Sequence, residues 1–396
     1  MKALSVIACL LILLATSSKS LDATEPAIKK DNTQNGNDSA KDEKTTKNKR
    51  PPVDIAILLD TSNSMDGLIS QARTQLWNIV QQVAKAEKKK QKPLLRVAVF
   101  EYGNSNLPAT EDYLRQVVPL TDDLDKVSEG LFGLKTDGGD EYCGAVIKEA
   151  VKRLDWSKNR NSYKAIYIAG NEPFSQGDVD YEESCRAAIE SGIVVNTIHC
   201  GAYERGVSGQ WKNGADLAEG KFMNINQDRK VVQIKTPHDP ILLTLNNELN
   251  ETYLWYGAQA EREGFAKNQI LQDQNSISAG ASLSRIATKA GAAYSNRGRD
   301  LVDSWKENPK FLEKIDTKLL PETMQKMNAA EREQHIVKMA SKREAIQLQI
   351  NAETQKRDAF IAAQMKNQAD LKSDTFGDAI GIAVQSQLQD FGFEVE

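Results

Sequence analysis

The stretch Val53-Asp54-Ile55-Ala56-Ile57-Leu58-Leu59-Asp60-Thr61-Ser62-Asn63-Ser64 decides the fold class of this 396-residue chain. Its first half is almost entirely apolar, which is typical of a strand buried on both faces inside a parallel sheet. In open α/β sheets, ligands bind beyond the carboxyl ends of the strands. Asp60, Ser62 and Ser64 follow this strand directly and offer oxygen ligands of the kind that Mg²⁺ prefers. The same residue types also cap helices, so the pattern has a purely structural reading as well.

From Val53 onward the chain alternates strand and helix patterns, which predicts a doubly wound, mostly parallel α/β sheet of the Rossmann-like kind. Pro119 within one of the short apolar runs confines that strand to an edge of the sheet. The predicted strands span residues 53–59, 94–102, 116–120, 165–169, 193–199 and 222–225.

After about Gly257 the strand patterns end, and residues 258–396 are predicted to form an α-helical C-terminal region. Residues 258–304 and 329–365 are rich in Glu, Lys, Gln and Ala, and their apolar stripe predicts a helical hairpin or small bundle with coiled-coil character. This half has few large apolar residues. We therefore expect it to dock on the first domain or to self-associate, whereas residues 52–257 should fold alone.

The N-terminal segment predicts export. Residues 1–20 have a basic start, a brief apolar core and small residues near the end, as in a secretory signal peptide. Residues 21–51 are polar and predict a disordered linker. The mature protein would be periplasmic or secreted, with no transmembrane segment.

Three cysteines would remain in the mature chain, at positions 143, 185 and 200. An exported protein meets an oxidising compartment, where three cysteines form either one disulfide with one free thiol or no disulfide. Cys185 and Cys200 lie on a consecutive helix and strand, so they are the favoured pair, with Cys143 as the competitor.

Composition argues against several classes of function. The formal net charge is −4, with acidic and basic residues mixed along most of the chain, whereas nucleic-acid binders show a basic face. The sequence has no phosphate-binding Gly-rich loop, no His-Glu-x-x-His and no Gly-x-Ser-x-Gly elbow. We therefore expect a protein that is not an enzyme.

The Asp-x-Ser-x-Ser loop resembles the metal-ion-dependent adhesion site (MIDAS) of von Willebrand factor type A (vWA) domains, and the resemblance covers residues 52–257. In that family a second loop supplies a Thr after a Gly-Gly pair, and Asp140 takes that position in this chain. A third loop supplies an Asp, and Asn171 takes that position. The resemblance implies a site for Mg²⁺, Mn²⁺ or Ca²⁺ whose ligands are Asp60, Ser62, Ser64, Asp140 and Asn171.

Residues around these loops are candidates for supporting roles, because metal ligands are usually oriented by neighbouring groups. The candidates are Thr136, Glu141 and Glu172. His199 ends a predicted strand at the same edge, and it is either a hydrogen-bonded strand-end residue or part of the site. The stretches 169–174, 196–201 and 250–257 also resemble a group of exported bacterial proteins that combine this domain with a helical extension.

These features predict a divalent-cation-dependent module that binds another protein at the cell envelope, for adhesion or assembly. An open position on the ion would take an acidic side chain of the partner or a water molecule. One alternative is a structural scaffold that acts through its helical half, with a vestigial metal loop. The other is a metal-dependent hydrolase, in which Glu141 or Glu172 would have to act as the general base.

Overall fold

The computed structural model describes residues 50–159, 161–228, 234–365 and 375–395. The predicted signal peptide and nearly all of the predicted linker lie outside these ranges. Within them, no helix combines the length and the apolar character needed to cross a bilayer.

The described residues contain eight strands, which form one large sheet and one short ribbon. The large sheet has the order β4-β3-β1-β5-β6-β7, and all its strands are parallel except β4, an edge strand antiparallel to β3. Pro119 therefore lies on an edge strand, as predicted. The ribbon pairs β2 with β8. The strands are β1 (Pro52–Asp60), β2 (Ala86–Glu87), β3 (Leu94–Tyr102), β4 (Leu114–Thr121), β5 (Tyr163–Gly170), β6 (Val194–Cys200), β7 (Phe222–Ile225) and β8 (Glu394–Val395).

Helices cover both faces of the large sheet and make up the C-terminal region, which confirms the predicted fold class. They are α1 (Asp66–Ala84), α2 (Leu124–Gly133), α3 (Cys143–Arg153), α4 (Tyr181–Glu190), α5 (Tyr203–Ser208), α6 (Trp211–Leu217), α7 (Asp239–Asn250), α8 (Gln259–Ser278), α9 (Ser282–Lys289), α10 (Leu301–Glu307), α11 (Phe311–Lys314), α12 (Glu322–Gln325), α13 (Ala329–Met365) and α14 (Phe376–Asp390).

Alternation along β1 divides the core into two layers. Ile55 and Ile57 pack with α1, α2 and α14, whereas Ala56 and Leu58 pack with α3, α4 and α6 on the opposite face. Successive side chains of a strand point to opposite faces, so a strand that is apolar throughout needs helices on both sides. The carboxyl ends of β1, β5 and β6 consequently meet at one edge, between the two helical layers.

The C-terminal helix α14 packs on the sheet beside α1 and so confirms that the helical half docks on the first domain. Ile380, Val384 and Leu388 of α14 are fully buried, and each contributes about 1.5–3 kcal/mol of hydrophobic stabilisation. Gln387 is buried against the sheet, where its side-chain oxygen accepts a hydrogen bond of 2.7 Å from the Tyr163 hydroxyl.

This packing bears on the predicted boundary near residue 257. A fragment of residues 52–257 would lose α14 and expose the part of this face that α14 covers beside α1, next to β6 and β7, so the packing argues against its folding alone. The boundary itself stays a prediction.

Candidate metal site at the carboxyl edge of the sheet

Strand β1 carries Asp60 to the carboxyl edge, where the chain turns sharply towards α1. Asp60 is completely buried, and its Oδ1 accepts a hydrogen bond of 2.8 Å from the Ser62 backbone N–H. The hydroxyl oxygens of Ser62 and Ser64 lie 3.2 Å apart. The backbone N–H of Thr61 donates to the Tyr102 carbonyl at 2.8 Å, which ties this loop to the end of β3. The first loop therefore presents one carboxylate and two hydroxyls together.

Strand β5 brings Asn171 to the same place. The Asn171 Nδ2 donates to the Ser64 hydroxyl oxygen at 3.1 Å, which leaves its Oδ1 for another partner. Gly170 precedes it, and a Cβ atom there would lie 2.5 Å from the Tyr102 hydroxyl and 3.1 Å from Asp60 Oδ2. Only glycine lets β5 approach the buried carboxylate this closely.

The second loop places Glu141, rather than Asp140, against Asp60. The Glu141 side chain is 6% exposed, and its carboxyl group lies within hydrogen-bonding reach of Asp60 and of the Ser62 hydroxyl. Asp140 is exposed and, among the described residues, its carboxylate interacts with Tyr142 and with none of the other predicted ligands. The role of Asp140 as a ligand stays a prediction, whereas the geometry favours Glu141.

Gly103 makes room for the two acids. It has φ +77°, and a Cβ atom there would lie 2.7 Å from Glu141 Cγ and 2.9 Å from Asp60 Oδ1. Asn104, which sequence reasoning missed, follows it and donates to the Lys135 carbonyl at 2.8 Å. Asn104 therefore fastens the second loop to the end of β3, next to the carboxylates.

Three buried oxygen atoms at this edge have no hydrogen-bond partner among the described residues: Asp60 Oδ2, Glu141 Oε2 and Asn171 Oδ1. Burial raises the pKa of both carboxyl groups, and the negative charge of Asp60 raises the pKa of Glu141 further. Buried acceptors without donors are rare and costly in folded proteins. The cluster is therefore built for a positively charged group that the protein itself does not supply.

The donor set fits a hard cation. It combines two carboxylates, two hydroxyls and an amide oxygen, which are ligand types of Mg²⁺ and Ca²⁺. Within the described ranges, no group of three or more His, Cys, Asp or Glu side chains is arranged to hold a metal ion. Any ion held here would thus depend on the serine and asparagine oxygens as well as on the acids.

The other predicted supporting residues lie close to these loops. The Thr136 hydroxyl donates to the carboxylate of Asp66 and so links the second loop to the start of α1. The side chain of Glu172 is exposed, and its negative charge raises the pKa of Asp60 and Glu141 only as the smallest of several causes. Trp211, which sequence reasoning missed, donates from Nε1 to the Glu172 carbonyl at 2.8 Å.

His199 holds the third loop in place through a hydrogen bond. It is 2% exposed, and it is hydrogen-bonded to the backbone of Asn171. Its Nδ1 lies 3.1 Å from Asn224 Nδ2, an arrangement that suits a neutral ring with its proton on Nε2. Burial lowers the pKa of His199, which favours that neutral form. His199 is therefore a hydrogen-bonded strand-end residue that positions Asn171.

The predicted Cys185–Cys200 disulfide is not formed, and Cys143, Cys185 and Cys200 are all buried free thiols. Cys185 belongs to the layer of α3 and α4, whereas Cys200 faces the layer of α1 and α14. The expectation that consecutive elements bring the two cysteines together ignored the face of the sheet to which each side chain points.

Comparison with known proteins identifies one part of the chain. The family model of the von Willebrand factor type A domain matches residues 54–221. No protein with a curated description matches the chain.

Several solved structures are similar to part of the chain. BatB from Bacteroides thetaiotaomicron is 17% identical, with 44% of this chain and 90% of that chain covered and a TM-score of 0.34. Proximal thread matrix protein 1 from the mussel byssus, with a zinc-occupied MIDAS motif, is 16% identical, with coverages of 46% and 43% and a TM-score of 0.34. The vWF domain of the type V pili tip protein Mfa5 from Porphyromonas gingivalis is 12% identical, with coverages of 46% and 91% and a TM-score of 0.33. Residues 54–221, with their mostly parallel sheet between two helical layers, are a von Willebrand factor type A domain.

Proposed function

We propose that this domain binds a divalent cation and uses it to hold an acidic side chain of a protein partner. The ion would be Mg²⁺, with Mn²⁺ or Ca²⁺ as the alternatives, held by Asp60, Ser62, Ser64, Glu141 and Asn171. The single observation that carries the proposal is the group of three buried oxygens without hydrogen-bond partners. A bound cation would satisfy all three and would neutralise the charge that now opposes their burial.

The proposed ligands would contribute different kinds of oxygen atom to the ion. Asp60 and Glu141 would supply the negative charge, and Ser62, Ser64 and the Asn171 Oδ1 would supply neutral oxygens. Asp140 is exposed beside them, where it could contact the partner or a water molecule on the ion. The ion itself would supply an open coordination position for a carboxylate.

The proposed role is binding rather than catalysis. A hydrolase would need a base directed at a metal-bound water. Glu141 is turned towards Asp60 and Ser62, and Glu172 is exposed at the rim. We propose adhesion or assembly at the cell envelope, after export, as the setting. The scaffold alternative would require that partner binding is the same in Mg²⁺ and in chelator.

The test is the melting of the mature chain with Mg²⁺ and with chelator. A ligand that binds only the folded state stabilises it by about 2.7 kcal/mol at a hundred times its dissociation constant. The melting temperature should therefore be higher in Mg²⁺ than in chelator, and Asp60→Asn should abolish this difference. The matched control is Asp54→Asn at the opposite end of β1, where the carboxylate is buried and accepts from Arg96 at 2.8 and 2.7 Å. That variant should be less stable but should keep its response to Mg²⁺. An unchanged melting temperature in Mg²⁺, Mn²⁺, Ca²⁺ and chelator would contradict the proposal.

A further inference from the structure

A cavity of about 500 Å³ opens directly beside the candidate metal site, at the carboxyl ends of β5 and β6. Asn171 belongs to both, because it lines the cavity and donates to the Ser64 hydroxyl. The remaining walls come from residues 172, 173, 175, 199–202, 205 and 208–210. A partner residue bound at the ion would therefore have neighbours that reach into this cavity.

Hydrogen bonds fix the walls of the cavity. The loop after β5 is held at three residues: Asn171 by His199, Glu172 by Trp211, and Phe174, whose N–H donates to the Gly209 carbonyl at 2.8 Å. On the other side, Asn224 Nδ2 donates to the Gly201 carbonyl at 2.9 Å. A cavity that exists before the ligand arrives costs little to order on binding. Its geometry suits a binding subsite.

Arg205 gives the cavity its charge. It is exposed and lines the wall close to His199, whose pKa its charge helps to lower. Among the arginines whose side chains the structure describes, Arg205 alone has no hydrogen bond or ion pair from its guanidinium group. Buried or half-buried arginines elsewhere, such as Arg96 and Arg285, are paired with carboxylates. The Arg205 guanidinium is thus available to a ligand.

The charge balance at the ion favours a further positive group for an acidic partner. Asp60 and Glu141 would already match the charge of a divalent cation, so a partner carboxylate would bind the ion by direct coordination with little long-range attraction, and a nearby guanidinium group would strengthen the complex. A guanidinium group pairs with a carboxylate through two parallel hydrogen bonds. Glu172, which also lines the cavity and has no side-chain partner among the described residues, would accept a backbone N–H of the same ligand.

We propose that the cavity and Arg205 form a second subsite of the partner-binding surface, which takes a second carboxylate of an acidic peptide segment. The proposal rests on the proposed function, in which the first carboxylate of that segment binds the cation. Alternate residues of an extended peptide point to the same side, so the segment would have the pattern acid-x-acid.

The test measures binding of two peptides to the mature chain in saturating Mg²⁺. The first is acetyl-Gly-Asp-Gly-Glu-Gly-amide, and the second replaces its Glu with the neutral isostere Gln. We expect the diacidic peptide to bind at least about tenfold more tightly, and we expect Arg205→Gln to reduce this ratio to about twofold or less. The matched control is Arg186→Gln, which removes the same charge from an exposed arginine of α4 that is paired with Glu182 at 2.8 Å. That variant should keep the tenfold preference.

The melting shift in Mg²⁺, measured on each variant, separates the two proposals. Arg205→Gln should keep the shift, since Arg205 does not contact the ion ligands. One contrary outcome is a parent chain that shows the melting shift in Mg²⁺ but binds neither peptide, or binds both equally. Either result would contradict the proposed subsite and would still be consistent with the proposed metal site. A preference that survives in Arg205→Gln would overturn it as well. No shift in the parent chain would overturn the proposed function, and the subsite with it.

Discussion

Two regions of this protein bury ionisable side chains, but only one of them supplies these side chains with partners of opposite charge. In the helical region, Arg343 is 1% exposed and donates to Asp300 and to Asp303, each at 2.7 Å. Arg285 is equally buried and donates to Asp125 and to Asp273, each at 2.6 Å. At the carboxyl edge of the sheet, Asp60 and Glu141 lie side by side, and each has a buried oxygen without a hydrogen-bond partner among the described residues.

The difference separates a structural role from a binding role. A buried charge is tolerated when an opposite charge and hydrogen bonds compensate it, and an uncompensated one is costly. The ion pairs of the helical region are complete within the chain, so they need no ligand. The acids at the sheet edge are incomplete, and a folded protein retains such groups where they serve a function.

The largest effect should come from breaking a complete pair. Arg343→Met leaves Asp300 buried without its cation, and loss of one partner from a buried pair costs about 3–5 kcal/mol. The matched control is Lys342→Met, because the neighbouring Lys342 is 43% exposed and pairs with the exposed Glu251. Exposed pairs contribute at most about 1 kcal/mol, so this variant should unfold almost like the parent chain in urea. Similar losses in both variants would mean that burial of the pair is unimportant.

A smaller effect should appear on acidification. Lys289 and Arg285 outweigh the burial of Asp273 and lower its pKa below the usual 3.8. A carboxylate with a lowered folded-state pKa contributes stability that is full above its unfolded pKa and is lost as the pH falls through the folded value. The parent chain should therefore lose roughly 2 kcal/mol of unfolding free energy through this group between pH 5 and pH 2.

Asp273→Asn tests this contribution. The variant should start from a lower stability, because Lys289 loses a charged partner, and it should then show a shallower decline in acid. The measurement is the unfolding free energy from urea titrations at several pH values. Parallel pH profiles in the two chains would contradict the assignment of this acid sensitivity to Asp273.

Sequence patterns predicted what is local in this fold. The buried strand β1 and the Asp60 loop each occupy a few consecutive residues, so apolar runs and residue types were sufficient to place them. The three loops of the site could also be ordered along the sheet edge, because parallel strands end together. The edge position of β4 followed from Pro119 alone.

What sequence reasoning missed depends on contacts between distant residues. Gln387 meets Tyr163 across 224 positions, and Arg285 meets Asp125 across 160, and no local pattern encodes such pairings. The placement of Glu141 rather than Asp140 against Asp60 depends on how the second loop enters α3, a difference of one residue that spacing could not resolve. The cysteine prediction was wrong because it treated neighbouring elements as neighbouring side chains.

The smallest expected effect is a gain in stability, whereas the other substitutions should destabilise the protein. It tests most directly whether the acids at the sheet edge lack the compensation found in the helical region. Glu141→Gln keeps the shape of the side chain, replaces a carboxyl group whose charged form is disfavoured by burial and by Asp60, as its raised pKa shows, and adds an amide N–H that can donate to Asp60 Oδ2. Without metal, the variant should therefore be more stable than the parent chain, by on the order of 1 kcal/mol or a few degrees in melting temperature. Its response to Mg²⁺ should be lost.

Glu101→Gln is the matched control for the direction of the stability change, because Glu101 is also a buried glutamate at the end of a neighbouring strand, β3. Its exposure is 2%, but its carboxylate is compensated by Arg115 and accepts from the Thr61 hydroxyl at 3.3 Å. The same substitution should therefore destabilise the protein there, while the response to Mg²⁺ remains. Thermal melts of both variants in chelator decide the matter. If Glu141→Gln also lowers the melting temperature, the carboxyl group of Glu141 is compensated within the chain, and the buried acids of the sheet edge are as complete as those of the helical region.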